Sequence, residues 1–207
     1  VNGQHLSHLT PRHTAHQEVL WHSLQFDPAP DENSKCRDYY GNFCHSVLIQ
    51  TPHDQLHVTA TTLVRVNEFD PAAKVTQQSW ETALLPDVYA TEALEITDMR
   101  LPSPLVPLLP ACQQYAARFF TPGRPWLDAM LDLTRHIKDE FTYDIEATDV
   151  DTPLAQVITG KRGVCQDFAH VMLSCLRCLK LPARYVSGYI LNEPPPGKDR
   201  KSTRLNS

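Results

Sequence analysis

Apolar and polar positions repeat along this chain with two different periods, and the change of period divides it. From Glu18 to Phe26 the alternation places Leu20, His22, Leu24 and Phe26 on one face and Val19, Trp21, Ser23 and Gln25 on the other, which predicts a strand. Cys44 to Gln50 and the β-branched run from Leu56 to Val66 read the same way. Asp27 to Ser34 has the composition of a loop, Gly41-Asn42 lies between aromatic residues as a hairpin turn would, and Pro52 to Gln55 supplies the next turn. Residues 1–68 are therefore expected to form an antiparallel β domain.

A period near 3.6 takes over downstream. Across residues 69–107 the prolines at 71, 86, 102, 104 and 107 break any long element, so this stretch reads as an irregular connection anchored by Trp80 and Tyr89. Leu109, Cys112, Tyr115, Ala116 and Phe119 then share one helical face, which Thr121-Pro122-Gly123 ends. Pro125 opens a longer helix through Trp126, Met130, Leu133, Ile137 and Phe141. Thr152-Pro153 predicts the start of a short helix, with Thr152 as cap and Gly160 as its left-handed end. Finally Phe168, Val171, Met172, Cys175, Leu176 and Leu179 describe the buried stripe of a helix that begins at or just before Cys165 and stops at Leu181-Pro182.

The position of Cys165 gives it chemistry as well as structure. At a helix start, unpaired backbone N–H groups and the positive end of the macrodipole favour thiolate over thiol, and a thiolate is a nucleophile. The competing reading is that a free cysteine is small hydrophobic filling. Cys175 and Cys178, inside the helix on or near its apolar stripe, fit that second reading better than they fit a metal or redox pair. Six cysteines without regular spacing read as reduced, as in a cytoplasmic chain. Five histidines among the first 26 residues invite metal ligation, but their spacing matches no known ligand set, so neither metal nor cofactor is expected. A formal charge of −5 gives no electrostatic case for nucleic acid or an anionic membrane surface, and no apolar run approaches the roughly 20 residues of a membrane span. The residues at hand also contain no secretory signal pattern.

Arg162-Gly163-Val164-Cys165-Gln166-Asp167-Phe168-Ala169-His170, with Cys175-Leu176-Arg177 and Leu181-Pro182-Ala183-Arg184-Tyr185-Val186-Ser187-Gly188-Tyr189, resembles the bacterial transglutaminase-like cysteine protease family. Asp38-Tyr39-Tyr40-Gly41-Asn42 is similar to the N-terminal region that accompanies that core. The resemblance implies an α+β fold, with a papain-like core of helices, Cys helix and first strand spanning residues 108–198. It also implies that Cys165 is the nucleophile of a Cys-His-Asp triad whose His and Asp follow the strand Ala183 to Ile190. His170, five residues on, turns to a different side of the helix and reads as structural; Asp167 reads as a helix-dipole partner; nothing in its spacing brings His136 to the sulfur.

Residues 199–207 resemble the translation of a sequencing-library adapter more than a continuation of the family pattern, a tag or disordered terminus being the rival explanation. The chain is accordingly expected to be truncated before the triad histidine and aspartate and to be inactive by itself. The parent protein would be a cysteine hydrolase cleaving amide bonds of a peptide or protein through a thioester on Cys165. Acyl transfer to an amine and a non-catalytic binding module are the alternatives.

Overall fold

The computed structural model describes residues 3–68, 78–84, 93–149 and 151–189. The chain divides into two compact units, residues 1–73 and 74–207. The expected tail at 199–207 and the anchor Tyr89 lie outside the described residues.

Among the described residues of the first unit, every strand pair is antiparallel. Strands β1 (Gly3–Ser7), β4 (Phe43–Ile49) and β3 (Glu32–Arg37) form one sheet in the order β1-β4-β3, and β2 (Gln17–Asp27) pairs with β5 (His57–Val66) in another. The hairpin at Gly41-Asn42 forms as its residues predict: Gly41 takes φ +76°, and the Asp38 carboxylate accepts the Asn42 N–H at 2.7 Å. Two readings are corrected. Glu32 to Ser34 is strand rather than loop, because its backbone pairs with Leu48, Val47 and Ser46 of β4 although every side chain on β3 is exposed. The alternation of β2 is interrupted by a register shift between Val19 and Trp21, which leaves both Leu20 and Trp21 exposed while His22, Leu24 and Phe26 stay inward.

The histidines of this unit serve the sheets. His22 Nδ1 meets the Thr62 hydroxyl at 2.7 Å, and the Thr10 hydroxyl lies between His22 Nε2 and His45 Nε2, at 3.0 and 3.3 Å. Burial, then the charges of His45 and Lys35, lowers the His22 pKa; burial, then Lys35, lowers that of His45. Both are held neutral in the fold, so their contribution is fully present above the unfolded value of 6.5 and is lost as pH falls through the folded values. Acidification from pH 7 to pH 5 is expected to lower the urea midpoint of this unit, and His22→Gln to reduce that fall. A wild-type midpoint that does not move over this range would refute the prediction.

In the second unit α5 (Cys165–Cys178) is the central helix, packed against α2 (Pro110–Ala117), α3 (Trp126–Glu140) and α4 (Leu154–Gly160). Leu133, Ile137, Phe141, Leu154, Val157, Val171 and Cys175 meet in one core. Cys175 faces Cys112; that contact and burial push its thiol up, while the Cys178 thiol donates to the Leu109 carbonyl at 3.4 Å, so both serve packing. All six cysteines are free thiols. The buried Ser174 hydroxyl donates to the Pro107 carbonyl at 2.6 Å, tying the proline-rich approach to α5.

The described part of the 69–107 stretch carries structure of its own. A 3-10 turn, Trp80–Leu84, sets the Trp80 ring edge-on to Phe120 at 5.7 Å, and its indole N–H donates to the Thr121 carbonyl at 2.9 Å. Helix α1 spans Ala93–Asp98. Trp80 therefore anchors the stretch to the second unit.

Candidate functional site

Two short strands aim the start of α5. β6 (Thr142–Tyr143) runs parallel to β7 (Arg162–Gly163), and the ladder continues outward through Thr142 N–H to the Lys161 carbonyl at 2.8 Å and Asp144 N–H to the Gly163 carbonyl at 2.9 Å. Arg162 and Asp144 close the pair with a salt bridge. The short helix between them ends differently from expectation. Gly160 is its last helical residue, and Lys161 takes the left-handed conformation at φ +50°. The cost of that conformation in a residue with a Cβ is met by anchorage: the Lys161 ammonium pairs with Glu140, which Arg118 also holds. These two cations keep the Glu140 carboxyl at about 2, well below its ordinary value. Thr152 is not the cap either. Pro153 occupies that position, and the Thr152 hydroxyl accepts the Asp149 N–H at 2.8 Å instead.

Cys165 is the first residue of α5, with Val164 as its N-cap, and its side chain is exposed. Asp167, three residues past the cap, reaches back so that one carboxylate oxygen accepts both the Val164 N–H and the Thr148 hydroxyl, each at 2.7 Å. Asp167 is thus the acidic half of a capping box as well as a charge in the first turn. The spacing from Val164 to Asp167 is that signal in the sequence; a valine cap hides it, since valine cannot supply the other half. Thr148 has no local pattern that announces it.

The segment after α5 runs back alongside the helix. Arg177 donates from Nε and Nη2 to the Ala183 carbonyl, at 3.1 and 2.8 Å, and the Ala183 N–H donates to the Met99 carbonyl at 3.1 Å. Of the expected strand Ala183 to Ile190, residues 183–188 carry no strand assignment, Tyr189 is a single bridge position, and Ile190 lies outside the described residues. Tyr185 lies against His170 with ring centroids 5.5 Å apart. Burial, with Cys165 close enough to add to it, raises the Tyr185 phenol. Burial lowers the His170 pKa against the opposing pull of Asp167, which favours the neutral imidazole. His136 sits elsewhere: its Nδ1 lies 2.9 Å from the Asp132 carbonyl and its ring packs on Phe119. The structure therefore gathers Cys165, Asp167, His170 and Tyr185 at one end of α5 and leaves His136 in a packing role.

A cleft of about 390 Å³ opens beside this helix, bounded by its N-cap Val164 and by Gln166, Asp167 and His170, by residues 148, 149 and 151–155 and by the proline-rich approach at 104–109. Among the described residues no group of three His, Cys, Asp or Glu side chains could hold a metal ion, and no helix is long and apolar enough to cross a membrane.

Comparison with known proteins places this geometry. The chain matches the model of the bacterial transglutaminase-like N-terminal region over residues 1–65 and that of the transglutaminase-like superfamily over residues 113–203. Uncharacterised proteins of Mycobacterium tuberculosis and Mycobacterium bovis are each 38% identical to it over 196 residues, covering 93% of this chain and 61% of their own length. A Mycobacterium leprae protein is 28% identical over 183 residues, 88% of this chain and 62% of its own. The chain thus spans about three fifths of the length of these relatives. A solved structure from Cytophaga hutchinsonii, described as a candidate cysteine protease, shares the fold with a TM-score of 0.72 at 23% identity, over 93% of this chain and 64% of that one. With the N-terminal strands, the helical core and the cysteine-led helix in this order, the chain belongs to the transglutaminase-like superfamily and carries the bacterial N-terminal region ahead of its core.

Proposed function

We propose that this chain is part of a cysteine hydrolase that cleaves amide bonds of peptides or proteins, with Cys165 as nucleophile. The observation that carries the reading is an exposed cysteine as the first residue of a 14-residue helix, the end at which the backbone N–H groups and the macrodipole of a helix favour an anion. The sulfur attacks the substrate carbonyl carbon, an S–C bond forms, the C–N bond breaks, and the amine leaves with a proton. Water then cleaves the thioester, releasing the acid and restoring the thiol.

The proton transfers ask for an imidazole within hydrogen-bonding reach of the sulfur, with a carboxylate to orient it. Neither His136, packed on Phe119, nor His170, its ring tilted against Tyr185, is placed as that base, and we assign it outside the described residues. Peptide turnover by this chain alone is accordingly not expected, whereas reaction of Cys165 with a simple alkylating agent is.

Chloroacetamide is expected to modify Cys165 several-fold faster than Cys36, the other exposed free thiol. A Cys165 labelled no faster than Cys36 would overturn the nucleophile assignment. Cys165→Ser provides the blank for the measurement by mass spectrometry.

A further inference from the structure

Cys36 and Cys44 stand directly opposite each other on β3 and β4, in a register that runs without a shift from Glu32 to Arg37. Directly opposed residues of an antiparallel pair send their side chains to the same face, with Cα atoms about 4.5–5.5 Å apart. A disulfide asks for about 4.4–6.8 Å, so the backbone already meets its requirement. Slippage is blocked two residues on, where the Asp38 N–H donates to the Asn42 carbonyl at 3.0 Å and the Asp38 carboxylate accepts the Asn42 N–H at 2.7 Å. The Cys36 sulfur is close enough to act on the Cys44 thiol, which that contact raises, with burial adding to it.

The two thiols differ in access. Cys36 is exposed on β3, which among the described residues is an edge strand with every side chain exposed, whereas Cys44 is buried. A reagent in solution therefore meets Cys36 first, and Cys44 is placed to displace it. The Cys44 thiol donates to the Asn42 carbonyl at 3.7 Å, and a thiol is a weak donor, so little is lost when it turns to Cys36. Cys112 and Cys175 also face each other, but both are fully buried in the helical core and closed to the same reagent.

We propose that Cys36 and Cys44 are a thiol–disulfide exchange site, which a low-molecular-weight disulfide such as oxidised glutathione converts into a cross-strand disulfide that clamps β3 to β4. The Cys36 thiolate attacks one glutathione sulfur, an S–S bond forms to the protein, and the first reduced glutathione leaves. The Cys44 thiolate then attacks the Cys36 sulfur, and the second reduced glutathione leaves. The protein pair gives up two protons and two electrons, and glutathione disulfide takes up both as two thiols. Because the second thiol is held opposite the first, the mixed disulfide on Cys36 does not accumulate. The site is independent of the reading of Cys165 as the nucleophile.

Oxidised glutathione tests this on the purified chain, with the products mapped by proteolysis and mass spectrometry so that each cysteine is read separately. A Cys36–Cys44 linkage that dithiothreitol reverses is expected, and the urea midpoint of the first unit should rise in the linked form. In Cys44→Ser the second displacement is lost, and Cys36 is expected to retain one glutathione instead. Cys36→Ser, a change at an exposed position, is expected to leave Cys44 unmodified. A wild-type Cys36 that stays free, stops at the mixed disulfide or links to another cysteine would overturn the proposal, as would an unchanged midpoint in the linked chain.

Discussion

Alanine in place of Gly163 is expected to destabilise the second unit by about 2–4 kcal/mol and to slow alkylation of Cys165. Gly163 is buried, at φ +156°, and a Cβ built on it would stand 2.5 Å from Asp167 Oδ2 and 3.0 Å from Asp167 Cβ and Cγ. The carboxylate cannot swing aside freely, because the same oxygen accepts the Val164 N–H and the Thr148 hydroxyl. Making room for the methyl group therefore breaks the capping box at the mouth of α5, where each hydrogen bond to a charged group is worth about 1.5–3 kcal/mol. The urea midpoint and the alkylation rate should fall together. Removing the obstacle as well, in Gly163→Ala/Asp167→Ala, should cost less than the sum of the two single changes, since both act on one cluster. A Gly163→Ala protein with the wild-type midpoint would show that Asp167 is not packed over the glycine as described.

The second large effect belongs to the core. Leu133 is fully buried on α3 in the cluster that contains Val157, Val171 and Cys175, and Leu133→Ala is expected to cost about 3–5 kcal/mol, combining lost transfer energy with the cavity left behind. Leu131, two residues earlier on the same helix, is 41% exposed, and Leu131→Ala should change stability by no more than about 0.5 kcal/mol. Helix propensity is the same in the two substitutions, so the difference isolates burial. Similar losses from both would mean that α3 packs with a different face than the one described.

Most of the elements were legible in the chain because their determinants are local. Period-two alternation announced β2, β4 and β5, and the 3.6 period placed α2, α3 and α5 with Cys165 at the helix start. Where local pattern and tertiary demand diverged, the tertiary demand prevailed. Glu32 to Ser34 has loop composition, yet it is strand because β4 offers it a ladder. Gly160 has the freedom to end α4, yet Lys161 takes the left-handed position because Glu140 holds its ammonium. Thr152 has the chemistry of a cap, yet its hydroxyl serves the Asp149 turn. In each case a partner distant along the chain, or bonded across a turn, outweighed a preference of only about 1 kcal/mol.

By itself the sequence determined the division into a strand-rich and a helix-rich region and the placement of Cys165 on the first turn of an amphipathic helix. These follow from side-chain period and from glycine and proline punctuation, which act over a few residues. Only the tertiary structure decided what gathers at that helix end: Thr148 bonded to Asp167, Tyr185 against His170, and the cleft that residues 104–109 and 151–155 help to line. Those juxtapositions join residues 15 to 60 or so positions apart, and no local spacing encodes them; they exist because burying the apolar stripe of α5 draws the surrounding segments onto one helix end.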